Sequence, residues 1–348
     1  MSARAIHRAG ERTLAPVITL LMVSACGGPQ RELVVIYSPH GKELLGATEQ
    51  AYEQAHPEVD LLWFDLGSQD VLDRIRSEGA SPQCDLWWGA PSPLFMQAAR
   101  ENLLEPYRPS WAEQVGDAAR DRSDRWYGTY LTPEVIMYNS EALPRDQVPQ
   151  DWDDLLDPKW KGKILIRHPL ASGTMRTIFS ALIYRFYRDS GSPEQGYEWL
   201  RRLDRNVAEY TANPTLLYHK LARREGLVTL WNLTDVILQS RDSGYPFDFV
   251  IPRSGTPVVT EGIALLRGAP HPERGRELYE FVTGAETLVE HARRFHRIPV
   301  RRDLPRERLP EWMAALEFEA MPLDWELLAE HEREWLRFWD ERIRGQSD

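Results

Sequence analysis

Apolar positions near the start of the chain alternate between short unbroken runs and helical spacing. Leu33-Val34-Val35-Ile36-Tyr37 is a continuous apolar run, as in a parallel strand buried on both faces. Ser38-Pro39-His40-Gly41 ends it, and residues 42–55 then carry Leu44, Leu45, Ala47 and Ala51 on a helical period. Val59 to Phe64 predicts a second strand, and Gly67-Ser68-Gln69-Asp70 opens a helix bearing Val71, Leu72 and Ile75. Asp85-Leu86-Trp87-Trp88 predicts a third strand, with a helix over about 93–101. Three strand–helix units in succession imply a parallel sheet covered by helices.

The rhythm then changes. Residues 126–139 (WYGTYLTPEVIMYN) form a long β-rich segment with Pro133 inside it and no helix directly after, as in a strand that leaves one domain and enters another. A second α/β series begins at Lys163-Ile164-Leu165-Ile166 and passes through Ser172-Gly173-Thr174 into a helix of about 175–188. It continues with a helix at about 193–204, a strand at 207–210, a helix at 215–224 and a strand at 227–231. Val258 to Leu266 is a second candidate crossing segment, followed by a helix to about Val282. Residues 323–344 predict a terminal helix with Asp324 as N-cap and an apolar stripe of Trp325, Leu328, Trp335 and Trp339.

The amino terminus decides the compartment. Arg4, Arg8 and Arg12 precede an apolar run from Leu14 to Val23, and Ser24-Ala25-Cys26 follows. A basic start, a short apolar stretch and small residues before a cut site describe an export signal over residues 1–25. The stretch is half the length of a membrane-spanning helix. Ser24-Ala25-Cys26 resembles the lipobox of bacterial lipoproteins, which implies a lipid on Cys26 and a membrane anchor, with residues 26–31 as tether. Loss of residues 1–25 removes three arginines and one glutamate, leaving 39 basic against 52 acidic side chains, a charge of −13. That balance argues against a nucleic-acid partner. Cys84 is the one other cysteine, so the mature chain has no internal disulfide. Some 320 mature residues exceed one hydrophobic core and suggest two domains.

The strings YSPHGKE (37–43), DLWWGAP (85–91), NLLEPYRP (102–109), MYN (137–139), DDLLDPKWKGKI (153–164), HPLASGT (168–174) and TEGIALLRGAPHPERGRELYEFV (260–282) occur in an order that resembles a known family. It is the group of periplasmic solute-binding proteins of ABC importers that take up ferric iron, thiamine, phosphonates and sugar phosphates. The resemblance implies an α/β, two-lobed type 2 periplasmic-binding-protein fold hinged on two crossing strands. Lobe 1 would be 32–131 with a return at 258–300, lobe 2 would be 132–257, and helices in 301–348 would pack across both. It implies a monomer that binds a small molecule and delivers it to a permease and its ATPase.

Ligands of parallel α/β sheets sit beyond the carboxyl ends of strands, where helix N-termini favour anions. The candidate ligand-binding residues are therefore Ser38, His40, Ser68, Trp88, Gly89, Ser172, Gly173, Thr174, Asn213, Asn232, Thr234 and Asp235, with Glu261 as a hinge or ligand contact. Ser172-Gly173-Thr174 is the strongest set: glycine permits close approach, two hydroxyls donate, and a helix begins there. Trp88 reads equally as cleft wall or core. Iron-binding members of the family carry a tyrosine pair where this chain has Asn232-Leu233-Thr234-Asp235, so an organic anion, phosphorylated or phosphonate, is expected ahead of ferric iron. No Gly-x-Ser-x-Gly, P-loop, His-Glu-x-x-His or Cys-x-x-Cys motif is present. No catalytic residue, cofactor or bound metal is expected; a hydrolase on the same scaffold and a ligand-presenting sensor subunit are the other readings. Arg293, Arg294, Arg297, Arg301, Arg302, Arg306 and Arg308 are interleaved with acids and prolines and read as solvated surface.

Overall fold

The computed structural model describes residues 31–346. The export signal, Cys26 and nearly all of the tether lie outside the described residues. From the start the chain follows the expected alternation: β1 (Glu32–Ser38), α1 (Lys42–Ala55), β2 (Val59–Asp65), α2 (Ser68–Glu78), β3 (Leu86–Pro91), α3 (Ser92–Arg100) and a short β4 (Leu104–Glu105). β1 lies parallel between β2 and β3, and Val34 to Tyr37 are buried on both faces, which explains the unbroken apolar run.

β5 (Tyr127–Asn139) crosses between two sheets. Its first half pairs with strands of the first sheet and its second half, from Glu134 onward, with strands of the other. The second series is β6 (Ile164–Arg167), α4 (Gly173–Ser190), α5 (Glu194–Asp204), β7 (Val207–Thr211), α6 (Pro214–Ala222), β8 (Val228–Asn232), α7 (Leu233–Arg241) and β9 (Phe247–Val250). The chain returns through β10 (Val258–Leu266), whose first residue is in register with Pro133, where β5 changes sheets. Both passages of the chain therefore run side by side, and the fold is a two-lobed α/β architecture hinged on two crossing strands.

α8 (Pro272–Val282), α9 (Ala285–Phe295) and β11 (Ile298–Pro299) complete the first sheet's surroundings, and α10 (Glu311–Ala314) and α11 (Trp325–Arg342) end the chain. β4, β9, α9, β11 and α10 add to the elements expected from sequence. Leu288, Val289 and Ala292 of α9 are buried at the spacing of a helix face, so that helix was legible in the pattern. α11 starts with the Asp324 carboxylate accepting the Glu326 and Leu327 amides. It buries Trp335, Leu336 and Trp339 in the core around α4 and α5 of the second lobe. Its hold on the first lobe is slighter: Glu326 meets Arg100 at 3.3 Å with both side chains exposed, a pair worth little in water.

Candidate functional site

A cleft of about 230 Å³ opens where the crossing strands separate the lobes. Strand residues two apart share a face. On β5 this rule presents Thr132 and Glu134 to the cleft, and on β10 it presents Val259 and Glu261. The first lobe contributes Pro39, His40, Ser68, Ala90 and Pro91, and the second contributes Gly173, Thr174, Thr177, Asn232, Thr234 and Asp235. Arg297 reaches in from the turn between α9 and β11, which His296 makes in the left-handed conformation at φ 55°.

Three helix N-termini face this space. At α4 the Ser172 hydroxyl accepts the Met175 amide and the Ser172 carbonyl takes the Arg176 amide, leaving the Gly173 and Thr174 amides free. At α7 the Asn232 side chain accepts the Asp235 amide and donates to the Asp235 carboxylate at 2.9 Å and to the Thr174 hydroxyl at 3.4 Å. α2 starts behind Gly67 with no side-chain cap, so its first amides are open beside Ser68. Such ends carry unpaired N–H groups and partial positive charge from both lobes.

The polar side chains around the cleft are under-satisfied. Among the described residues, 16 buried side-chain nitrogen and oxygen atoms lack a partner. Five belong to residues on this wall: His40 Nε2, Glu134 Oε2, Thr234 Oγ1, Glu261 Oε2 and Arg297 Nε. Leaving a buried polar group unpaired costs about 1–3 kcal/mol. Their concentration at one place is what a site awaiting a polar ligand requires.

Glu261 ties the hinge together. One of its oxygens accepts the Thr132 hydroxyl at 2.9 Å and the Arg297 guanidinium at 3.3 Å; the other lies 3.5 Å from His40 Nδ1. That last separation has poor hydrogen-bond geometry, and burial, reinforced by Arg297 and His291, holds the His40 pKa well below the usual histidine range. His40 therefore meets the cleft as a neutral ring rather than as half of an ion pair. Behind it, Trp88 packs edge-on at 4.7 Å and His291 stacks on Trp88 at 5.7 Å. Burial first, then Arg297 and Arg294, push the His291 pKa down to about 3. Burial and the neighbouring Asp235 push the Glu134 carboxyl well above the usual range.

The structure distributes the residues expected from sequence into two groups. His40, Ser68, Gly173, Thr174, Asn232, Thr234 and Asp235 lie on the cleft wall. Ser38, Trp88, Gly89, Ser172 and Asn213 are not among the residues lining it, each for a local reason. Ser38 is fully buried, and its hydroxyl accepts the His40 amide at 3.2 Å, shaping the loop that presents His40. Trp88 is core, because β3 is covered on both faces. Gly89 has φ 89°, and a Cβ there would fall 2.8 Å from His40 Nε2 and 2.9 Å from Pro39 Cδ, so glycine is what lets His40 seat. Ser172 is occupied as the α4 cap. Asn213 is exposed and caps α6 by accepting the Leu216 amide at 2.8 Å. Glu134, Thr132 and Arg297 escaped the sequence reading. Arg297 is not the solvated surface residue expected of its basic stretch, since it lines the cleft and is 21% exposed.

Among the described residues no group of three or more His, Cys, Asp or Glu side chains converges to hold a metal ion. Tyr130, the aromatic ring nearest His40 after Trp88, is buried with its hydroxyl 2.6 Å from His291 Nδ1. The Tyr218 hydroxyl lies 3.5 Å from the Asp235 carboxylate, and Tyr218 is not among the residues lining the cleft. Tyr37, Tyr52 and Tyr127 are core residues of the first lobe.

A hinged pair of α/β lobes enclosing a polar cleft is an architecture that captures a small solute between its lobes. Residues 89–316 match the family of bacterial extracellular solute-binding proteins, and the chain belongs to it. It is 26% identical over 333 residues to the "probable ABC transporter periplasmic-binding protein y4fP" of Sinorhizobium fredii, covering 93% of this chain and 90% of that one. It is 28% identical over 253 residues to a Salmonella typhimurium protein named for periplasmic 2-aminoethylphosphonate binding, covering 71% of each. The solved ferric binding protein from Campylobacter jejuni superposes with a TM-score of 0.75 at 17% identity over 88% of this chain and 98% of that one, a likeness of fold alone.

Proposed function

We propose that this chain is the capture subunit of an ABC importer, exported and held to the membrane by a lipid on Cys26, and that it takes a small organic anion into the cleft by hinge closure. The observation that carries the anion reading is the convergence of three helix N-termini and Arg297 on a wall where five buried polar atoms have no partner. The relative named for phosphonate binding supports the same class of headgroup. Ferric iron, which favours hard oxygen ligands, fits less well: among the described residues no three His, Cys, Asp or Glu side chains converge to hold a metal, and no phenolate pair lines the cleft. The moving bodies are residues 32–131 with 258–300, and residues 132–257.

The anchor has its own test. Cys26→Ser is expected to release the exported protein from membranes, and unchanged membrane partitioning of that variant contradicts the anchor while leaving the cleft untouched.

For the cleft, a calorimetric panel of sugar phosphates, phosphonates, thiamine compounds and ferric citrate identifies the ligand class. A hydrogen bond to a charged group contributes about 1.5–3 kcal/mol, so Thr174→Val weakens the bound anion about tenfold or more. Thr174 is not the α4 cap, and the melting temperature is expected to stay close to wild type. Tight ferric binding that survives Thr174→Val and collapses on His40→Ala replaces the anion reading with an iron one.

A further inference from the structure

Arg297 is the one fixed cation among the described residues of the cleft wall, and its direction is set one residue earlier. His296 ends α9 at φ 55°, a conformation that a histidine keeps only where its surroundings hold it there. The Arg297 amide reaches back to the His291 carbonyl at 3.3 Å, and His296 is 7% exposed. The ring's Nε2 lies 3.2 and 3.3 Å from the two carboxylate oxygens of Asp242. A carboxylate only accepts, so this nitrogen carries a proton and donates. The other nitrogen, Nδ1, is buried without a partner, and Trp312 packs edge-on to the ring at 6.3 Å. Among the described residues Asp242 is thus the one hydrogen-bonding partner of that ring. Asp242 belongs to the other lobe: it follows α7 directly, whereas β11, just beyond the turn, pairs with the first sheet's half of β5. The nine residues of α7 span about 13 Å, and Thr234 and Asp235 in its first turn line the cleft. Leu233, Val236 and Ile237 of that helix share one core cluster with Ala292 of α9 and Ile298 of β11. One helix therefore meets the cleft at its start and, at its end, the turn that aims Arg297.

Resting on the anion reading above for its effect on affinity, we propose that Asp242, which does not line the cleft, is a positioning residue for solute capture: by holding His296 it keeps the left-handed turn that sends Arg297 to the ligand. Without that carboxylate both nitrogens of a buried ring lack partners, which favours swinging the ring out to water and undoing the turn. The carboxylate itself is 49% exposed, so its loss costs the fold little. Position and stability are thereby separable at this residue. The contact also ties the contributions of the two lobes together. α7 offers Thr234 and Asp235 to the solute at one end and, from the other, fixes where the opposite lobe's cation stands.

Asp242→Ala and Asp242→Asn, compared with wild type on the full mature chain, test this. Amide hydrogen exchange over residues 292–300 needs no ligand, and titration calorimetry uses inorganic phosphate, ethylphosphonate and glucose 6-phosphate as probes. In Asp242→Ala, exchange at the turn is expected to quicken at least about tenfold while the melting temperature stays close to wild type. Affinity for whichever of the three anions wild type binds is expected to fall at least about fivefold. Asp242→Asn keeps an acceptor oxygen and is expected to recover most of both losses. His296→Gly takes φ 55° with no ring to hold, so adding Asp242→Ala to it is expected to cost nothing further. Unchanged exchange in Asp242→Ala overturns the proposal, as does unchanged affinity beside faster exchange. A loss that persists in Asp242→Asn, or repeats in full in the His296→Gly background, also overturns it. If wild type binds none of the three probes the anion reading fails, and the exchange measurement alone decides whether Asp242 holds the turn.

Discussion

Arg297→Ala should weaken binding of the anionic solute by at least about thirtyfold, the largest effect expected of any single cleft substitution. Two losses combine. The guanidinium is the one fixed cation among the described residues of the wall, and its removal deprives the ligand of a charge-assisted donor. It also leaves Glu261 with the Thr132 hydroxyl alone, so an uncompensated carboxylate faces the incoming anion. Removing one partner of a buried, hydrogen-bonded charge pair costs about 2–5 kcal/mol, which is thirtyfold or more in Kd. Arg297→Lys keeps the charge but loses the planar fork and is expected to fall between the two. The variants are compared by titration calorimetry after circular dichroism has established that both are folded. An Arg297→Ala Kd within threefold of wild type would contradict the role given to this residue.

Arg297 also marks where the sequence ceased to be readable. It lies in a run of arginines of which Arg294 and Arg308 behave as expected, pairing with Glu290 and Glu286 at the surface, whereas Arg301, 11% exposed, packs over Trp111 and donates to the Thr283 carbonyl. Nothing in composition separates Arg297 from them. Its direction is fixed by the left-handed turn at His296 and by β11 pairing with β5, Ile298 with Leu131 and Pro299 with Tyr130, a contact between segments far apart in sequence. Glu134 is hidden for a related reason. A glutamate after a proline in a β-rich segment reads as an exposed position, and only the joining of two sheets at that residue buries it.

The legible parts were those governed by local physics. The crossing strands stood out as long β-rich segments, because a strand serving two sheets must be longer than its neighbours. The α4 and α7 N-termini were visible from Ser172-Gly173-Thr174 and Asn232-Leu233-Thr234-Asp235, because capping is a short-range hydrogen-bond pattern. Which member of each set faces the cleft is a question of direction. Ser172 turns inward to cap while Thr174 lines the wall, and a capping signature cannot tell them apart. Trp88 gave equal support to wall and core because an aromatic ring suits both, and the packing of His40 and His291 against it settles the matter.

The second large effect is closure itself. Glu134, Glu261 and Thr132 on the crossing strands, with helix ends from both lobes, offer a ligand its full set of contacts only when the lobes surround it. A ligand shifts the hinge by as much as its contacts differ between open and closed forms. A ligand that binds only the folded state stabilises it by about 2.7 kcal/mol at a hundredfold excess over Kd, so the melting temperature should rise with concentration. Stabilisation alone does not distinguish closure from binding to one lobe. Small-angle X-ray scattering of the mature protein, with and without saturating amounts of the solute identified by calorimetry, makes that distinction. Closure is expected to give a smaller radius of gyration with ligand; an unchanged scattering profile at saturation, with binding verified in the same sample, would rule out capture by hinge closure.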